Sequence, residues 1–305
     1  MRVLLNFLKQ YIYEVNKWVM AAACLMAALL IFINYHFAID NTISDYPGFT
    51  EKFLFRWLLF FIAFSFPYLI TSVIKKNIPF RNFYFLLLLI LAPAIFSFKM
   101  ALTLAFHYSD DYQWNTYWYY IVYWPLLVAI LFVQLFFIWK LFHADQPFYG
   151  LKIKGINWKP YLVMLLIMIP LIVAASTQND FLEKYPKMKM ISGMDGLVDF
   201  NIWYKILFEI SYGTDFISVE LFFRGFLVLG FIKWAGKDAI LPMALFYCTI
   251  HFGKPLGECI SSFFGGILLG VVVYHTRSIL GGLIVHLGIA WLMELGGHAG
   301  NQLFK

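Results

Sequence analysis

The sequence predicts an all-α, polytopic helical membrane protein with about eight or nine transmembrane helices. Three observations carry that reading. Hydrophobic residues make up 62% of the 305 residues and charged residues only 13%, against about 45–50% and about 25% in soluble domains. The apolar residues gather in runs long enough to cross a hydrocarbon core about 30 Å thick, where only helices or closed barrels satisfy the backbone. Lys and Arg cluster between those runs, as in loops at a membrane face, and the net charge of +6 does not point to nucleic acid.

Met1 to Lys17 carries Arg2, Lys9 and Lys17 among Leu4, Leu5, Phe7, Leu8 and Tyr11, the pattern of an amphipathic helix lying at the interface. Trp18 to Ile39 reads as an uncleaved first span. The second covers about Phe53 to Ile74 and the third about Phe83 to Phe106, kinked at Pro93. Between them Lys75, Lys76 and Arg81 mark a basic turn. The fourth span, Tyr117 to Trp139, opens on four aromatic residues that suit an interfacial belt. A basic connector with Lys140, Lys152, Lys154 and Lys159 leads to a fifth span, Tyr161 to Ala175, containing Pro170. The polar stretch Ser176 to Asn201 separates a front half from a back half.

In the back half, Gly213 and Asp215 predict a break that leaves a span from about Phe216 to Ile232. The seventh span is Ala239 to Phe252. Gly253-Lys254-Pro255 ends it and starts the eighth, with Pro255 in a first-turn position. The eighth runs to His275 with Gly265, Gly266 and Gly270, small residues that permit close helix contact in lipid. The ninth is Ser278 to Gly297. The predicted organisation is thus an interfacial helix (1–17), a five-helix region (18–175), a polar loop (176–201) and a helical core (202–305). The bias of Lys and Arg toward the N-terminal segment and alternate loops places the N-terminus in the cytoplasm, and the expected location is the bacterial inner (cytoplasmic) membrane. Cys24, Cys248 and Cys259 lie in apolar segments and read as buried small hydrophobes.

Ionisable residues inside spans are costly and mark functional sites. Glu220 and Arg224 are four apart, on one helical face and close enough to pair. His251, Glu258, His286, Glu294 and His298 follow in the last three spans. Taken singly, each has a bland role: a structural ion pair, an interfacial histidine, a carboxylate on a helix dipole. Taken together, carboxylates and two histidines on neighbouring helices are what water activation needs. A desolvated glutamate takes a proton from water, and a histidine shares that proton or donates to an oxyanion. Alternatively Glu220, His251 and His286 hold a divalent metal such as zinc, although no His-Glu-x-x-His occurs.

Glu-Leu-Phe-Phe-Arg-Gly at Glu220–Gly225, Tyr-x-x-x-His ending at His251, and His-x-x-x-Ala from His286 resemble the CAAX-protease and bacteriocin-processing family of intramembrane endopeptidases. That family's pattern is Glu-Glu-x-x-x-Arg, Phe-x-x-x-His and His-x-x-x-Asn or Asp on successive helices. The likeness covers about Phe216 to Gly297. It implies a catalytic set of Glu220, Arg224, His251 and His286. Val219 stands where the family has its first glutamate and proposed base, and Ala290 where it has the polar residue of its oxyanion site. Glu258 and Glu294 are therefore candidates to supply the missing function. The implied activity is cleavage of a membrane-associated peptide or protein by Glu/His-activated water, in lipid, with no cofactor or with a divalent metal. A second reading is a catalytically inactive relative that binds a client or other membrane protein subunits. A third, a transporter or lipid-handling protein, would need more charge in the front spans than Arg56 and Lys99 provide.

Overall fold

The computed structural model describes residues 2–75, 79–152, 156–197 and 200–304, so Lys76 of the basic turn and Lys154 of the connector lie outside the described residues. The chain is all-helical, with no strand among the described residues. The helices are α1 (Arg2–Glu14), α2 (Lys17–Phe37), α3 (Ile39–Asp45), α4 (Phe49–Lys75), α5 (Phe83–Ala101), α6 (Tyr112–Phe142), α7 (Lys159–Ala175), α8 (Asn179–Lys184) and α9 (Ile202–Val219). A π-helix (Glu220–Gly230), α10 (Ile232–Ala235), α11 (Ile240–Thr249), α12 (Leu256–Thr276) and α13 (Leu280–Phe304) complete the chain.

Six of these, α2, α4, α5, α6, α12 and α13, are long and apolar enough to cross a membrane. The protein is an integral membrane protein. The shorter apolar helix α7, the π-helix and α11 occupy the places of the fifth, sixth and seventh expected spans. All ten residues of α11 are buried. A helix apolar on every side belongs in the centre of a bundle, and ten residues rise only about 15 Å.

The chain divides into two compact units. The first comprises Met1–Leu102, Gln134–Ile156 and Glu220–Gly282; the second comprises Thr103–Val133, Asn157–Val219 and Leu283–Lys305. The first unit is built on phenylalanine. Phe96 lies 4.8 Å from Phe222 and 4.9 Å from Phe223, and Phe60 lies 4.8 Å from Phe246, ring centre to ring centre. Gly266 and Gly270 of α12 face α11: a Cβ on Gly266 would come within 3.2 Å of Ala244 Cα, and one on Gly270 within 2.6 Å of Met243 Cε. Gly265 has no such neighbour. The close contact expected of the glycines therefore belongs to two of the three. Helix α1 packs onto this unit, with Leu4 and Tyr11 buried and Phe7 stacked on His275.

The second unit centres on Tyr117, Trp124, Phe208 and Tyr212. The Tyr117 hydroxyl donates to Tyr204 O at 2.9 Å, and Ser211 Oγ donates to the carbonyls of Tyr120 and Ile121. Tyr117 is fully buried, so the expected aromatic belt is in part a packing surface.

The break predicted at Gly213 and Asp215 does not occur. Helix α9 runs through both residues, and the helix changes type after Val219. Gly213 serves packing instead: a Cβ there would lie 3.1 Å from Leu287 Cδ1.

Candidate active site

The polar residues of the first unit converge on the π-helix and the turn between α11 and α12. Helices with i→i+5 bonding are rare and concentrate at functional sites, and this one begins at Glu220. The wider turn still leaves Glu220 and Arg224 on one face. Arg224 Nη1 lies 3.4 Å from Glu220 Oε1, with both side chains fully buried. The guanidinium sits over the Tyr247 ring, 4.0 Å from its centre, the geometry of a desolvated cation–π contact. Gly282 walls the other side of the carboxylate. A Cβ at that position would stand 2.6 Å from Glu220 Oε2.

Tyr247 links this pair to the next residues. Its ring meets the His251 ring edge-to-face at 4.6 Å. His251 Nδ1 lies 3.0 Å from Tyr247 O. A carbonyl only accepts, so Nδ1 carries a proton, which fixes the orientation of the ring. Seven residues on, Glu258 stands in the first turn of α12, 3.6 Å from Lys254 Nζ. The turn between them is held by α2. Asn34 Nδ2 donates to Phe252 O at 3.0 Å, and the Tyr35 hydroxyl donates to Lys254 O at 2.6 Å.

Glu220, Arg224, His251 and Glu258 are thus gathered in one unit, beside Tyr247. The sequence offered Tyr247 only as a variant of the family's phenylalanine; its hydroxyl and its cation–π role have no signal in the spacing. His286 and Glu294 belong to the second unit. The His286 ring packs edge-on against Phe216 at 4.8 Å. Glu294 Oε2 accepts from the backbone N–H groups of Lys187 at 2.6 Å and Met188 at 3.4 Å, which gives it a structural duty at the start of a 3-10 helix (Lys187–Met194). Ala290 is buried in the aromatic cluster of that unit. His298 is exposed and bonds Gln302. Among the described residues, no three His, Cys, Asp or Glu side chains gather as metal ligands. Glu220, as placed, faces a guanidinium. That donor set does not fit a zinc ion.

Residues 205–292 match the family described as "Rce1-like: Type II CAAX prenyl endopeptidase Rce1-like". Over this segment, less than a third of the chain, the protein is similar to the CAAX-protease and bacteriocin-processing family. The match takes in the π-helix pair, Tyr247, both histidines and Glu258, and leaves out all of the chain before Lys205. No curated protein and no solved structure matches the chain. The matched family is one of peptidases.

Proposed function

We propose that the protein is a membrane-embedded endopeptidase that cleaves a membrane-associated peptide or protein by attack of water. The observation that carries this reading is the state of His251 within a segment of a peptidase family. Its Nδ1–H is committed to Tyr247 O, which fixes the ring; in the neutral form that tautomer leaves Nε2 as the proton acceptor. In this reading His251 and Glu258 share the proton taken from water. Positioned groups of this kind contribute about 10²- to 10⁴-fold. Glu220 is fully enclosed against Arg224, which suits an ordering role: the pair and Tyr247 hold the ring of His251. His286 enters this reading through the family pattern alone, as an oxyanion donor. Glu294 is the weakest candidate base because its carboxylate already accepts two backbone N–H groups.

A second reading is favoured by one specific feature. Val219, at the family's first glutamate, is 8% exposed and apolar, so the usual base is missing where the pattern needs it. A non-catalytic, client-binding membrane subunit would keep the ordered pair without the chemistry. Glutamine at Glu220, Glu258 or Glu294, and alanine at His251 or His286, separate the two readings. In a strain lacking the gene, the peptidase reading expects Glu258→Gln and His251→Ala to fail in complementation and to accumulate uncleaved membrane proteins, at wild-type expression. If every variant complements and no precursor accumulates, the peptidase reading is wrong.

A further inference from the structure

Cys248 and Cys259 face each other across the α11–α12 contact. Their sulfurs are 4.0 Å apart. Cys248 Sγ also lies 3.5 Å from Cys259 O, and Cys259 Sγ lies 3.9 Å from Cys248 O. These reciprocal contacts mean that each side chain is aimed at the other residue's backbone. The helices come this close because Gly266 meets Ala244 without a Cβ. A disulfide needs the sulfurs at about 2.05 Å, so they must approach by about 2 Å. Cys24 has no such partner and is only half-buried.

We propose that Cys248 and Cys259 form a redox modification site, a dithiol that closes to a disulfide when it meets a neutral, lipid-soluble two-electron oxidant. The two thiols are 1% and 0% exposed, so a small neutral oxidant enters the protein interior to reach them more readily than a charged one. With an azodicarboxamide as oxidant the step balances. One thiol adds to the N=N bond, and the second thiolate attacks the bound sulfur. An S–S bond forms, and the azo group leaves as the hydrazine, holding both protons and both electrons. The new bond closes a ring around residues 248–259. That ring contains His251, the Lys254 turn and Glu258, so oxidation staples the loop on which those residues stand, whatever the loop does.

The test uses the full-length protein in detergent. It is treated with the azodicarboxamide diamide, unfolded in SDS with N-ethylmaleimide, and mapped by mass spectrometry. The expected result is a linked peptide pair containing Cys248 and Cys259, lighter by two hydrogens and opened by dithiothreitol, with maleimide on Cys24. Hydrogen exchange at residues 251–258 should slow in the oxidised protein. Maleimide on both Cys248 and Cys259 after oxidation of the folded protein would overturn the proposal. So would links to Cys24 or between molecules in place of the internal one. A link formed with unchanged exchange at 251–258 would overturn the stapling.

Discussion

Breaking the Glu220–Arg224 pair one partner at a time is expected to cost more than removing both together. The charges stand 3.4 Å apart and are fully buried. At an effective dielectric of about 20, that separation gives an attraction of about 5 kcal/mol. Desolvating each ion costs several kcal/mol, so the pair adds little net stability and matters through what happens when it is broken. Arg224→Met strands a buried carboxylate and also removes the contact with Tyr247 at 4.0 Å; the expected loss is about 3–5 kcal/mol. Glu220→Gln leaves the guanidinium its aromatic face and should lose less. The double variant buries no charge, so the coupling energy should reach at least about 2 kcal/mol. Unfolding by SDS in mixed micelles, followed by fluorescence of the ten tryptophans, measures all four proteins. Additivity within about 0.5 kcal/mol, or an Arg224→Met protein as stable as wild type, would refute this account of the pair.

Gly282→Ala should destabilise by about 1–3 kcal/mol through overpacking, because the new Cβ meets Glu220 Oε2 at 2.6 Å; in a Glu220→Ala background the same change should become neutral or stabilising, which thermal unfolding checks. Val219→Glu places a carboxylate in a buried position and should cost about 2.5–3.5 kcal/mol; a rise in complementation instead would show that the family's usual base still works here. The Glu14 carboxyl is held below its usual range by its bond to Lys237, with help from Gln10. A lowered folded pKa means this tie is complete above the ordinary glutamate range and is lost as pH falls through the lowered value. Hydrogen exchange in α1 should therefore quicken only in that acid range, and Lys237→Ala should abolish the dependence.

Much of this was legible because lipid imposes a simple grammar. Runs of apolar residues had to be helices, and the nine expected stretches correspond to six spanning helices and three shorter ones. A spacing of four was enough to pair Glu220 with Arg224, since it survives the change from α to π geometry. The π-helix itself was not legible: nothing in Glu-Leu-Phe-Phe-Arg-Gly distinguishes i→i+4 from i→i+5 bonding, and Gly213 and Asp215 drew the break to the wrong place. Gly213 proved to be a packing glycine, which a single sequence cannot tell from a hinge. Glu294 looked like the other buried carboxylates because its partners, the amides of Lys187 and Met188, lie 107 and 106 residues away in the chain. The meeting of Cys248 with Cys259 depends on how the six-residue connection 250–255 folds α12 back on α11, and spacing alone does not encode it.

The central claim, peptide-bond hydrolysis by activated water, is tested most directly by isotope. Membrane extract from a strain lacking the gene is incubated in H₂¹⁸O with the full-length protein in nanodiscs, and new peptide C-termini are read by mass spectrometry. The account predicts new C-termini that carry ¹⁸O with the wild-type protein and that vanish with His251→Ala of equal thermal stability. The absence of new termini with the wild type, or their persistence with His251→Ala, would contradict it.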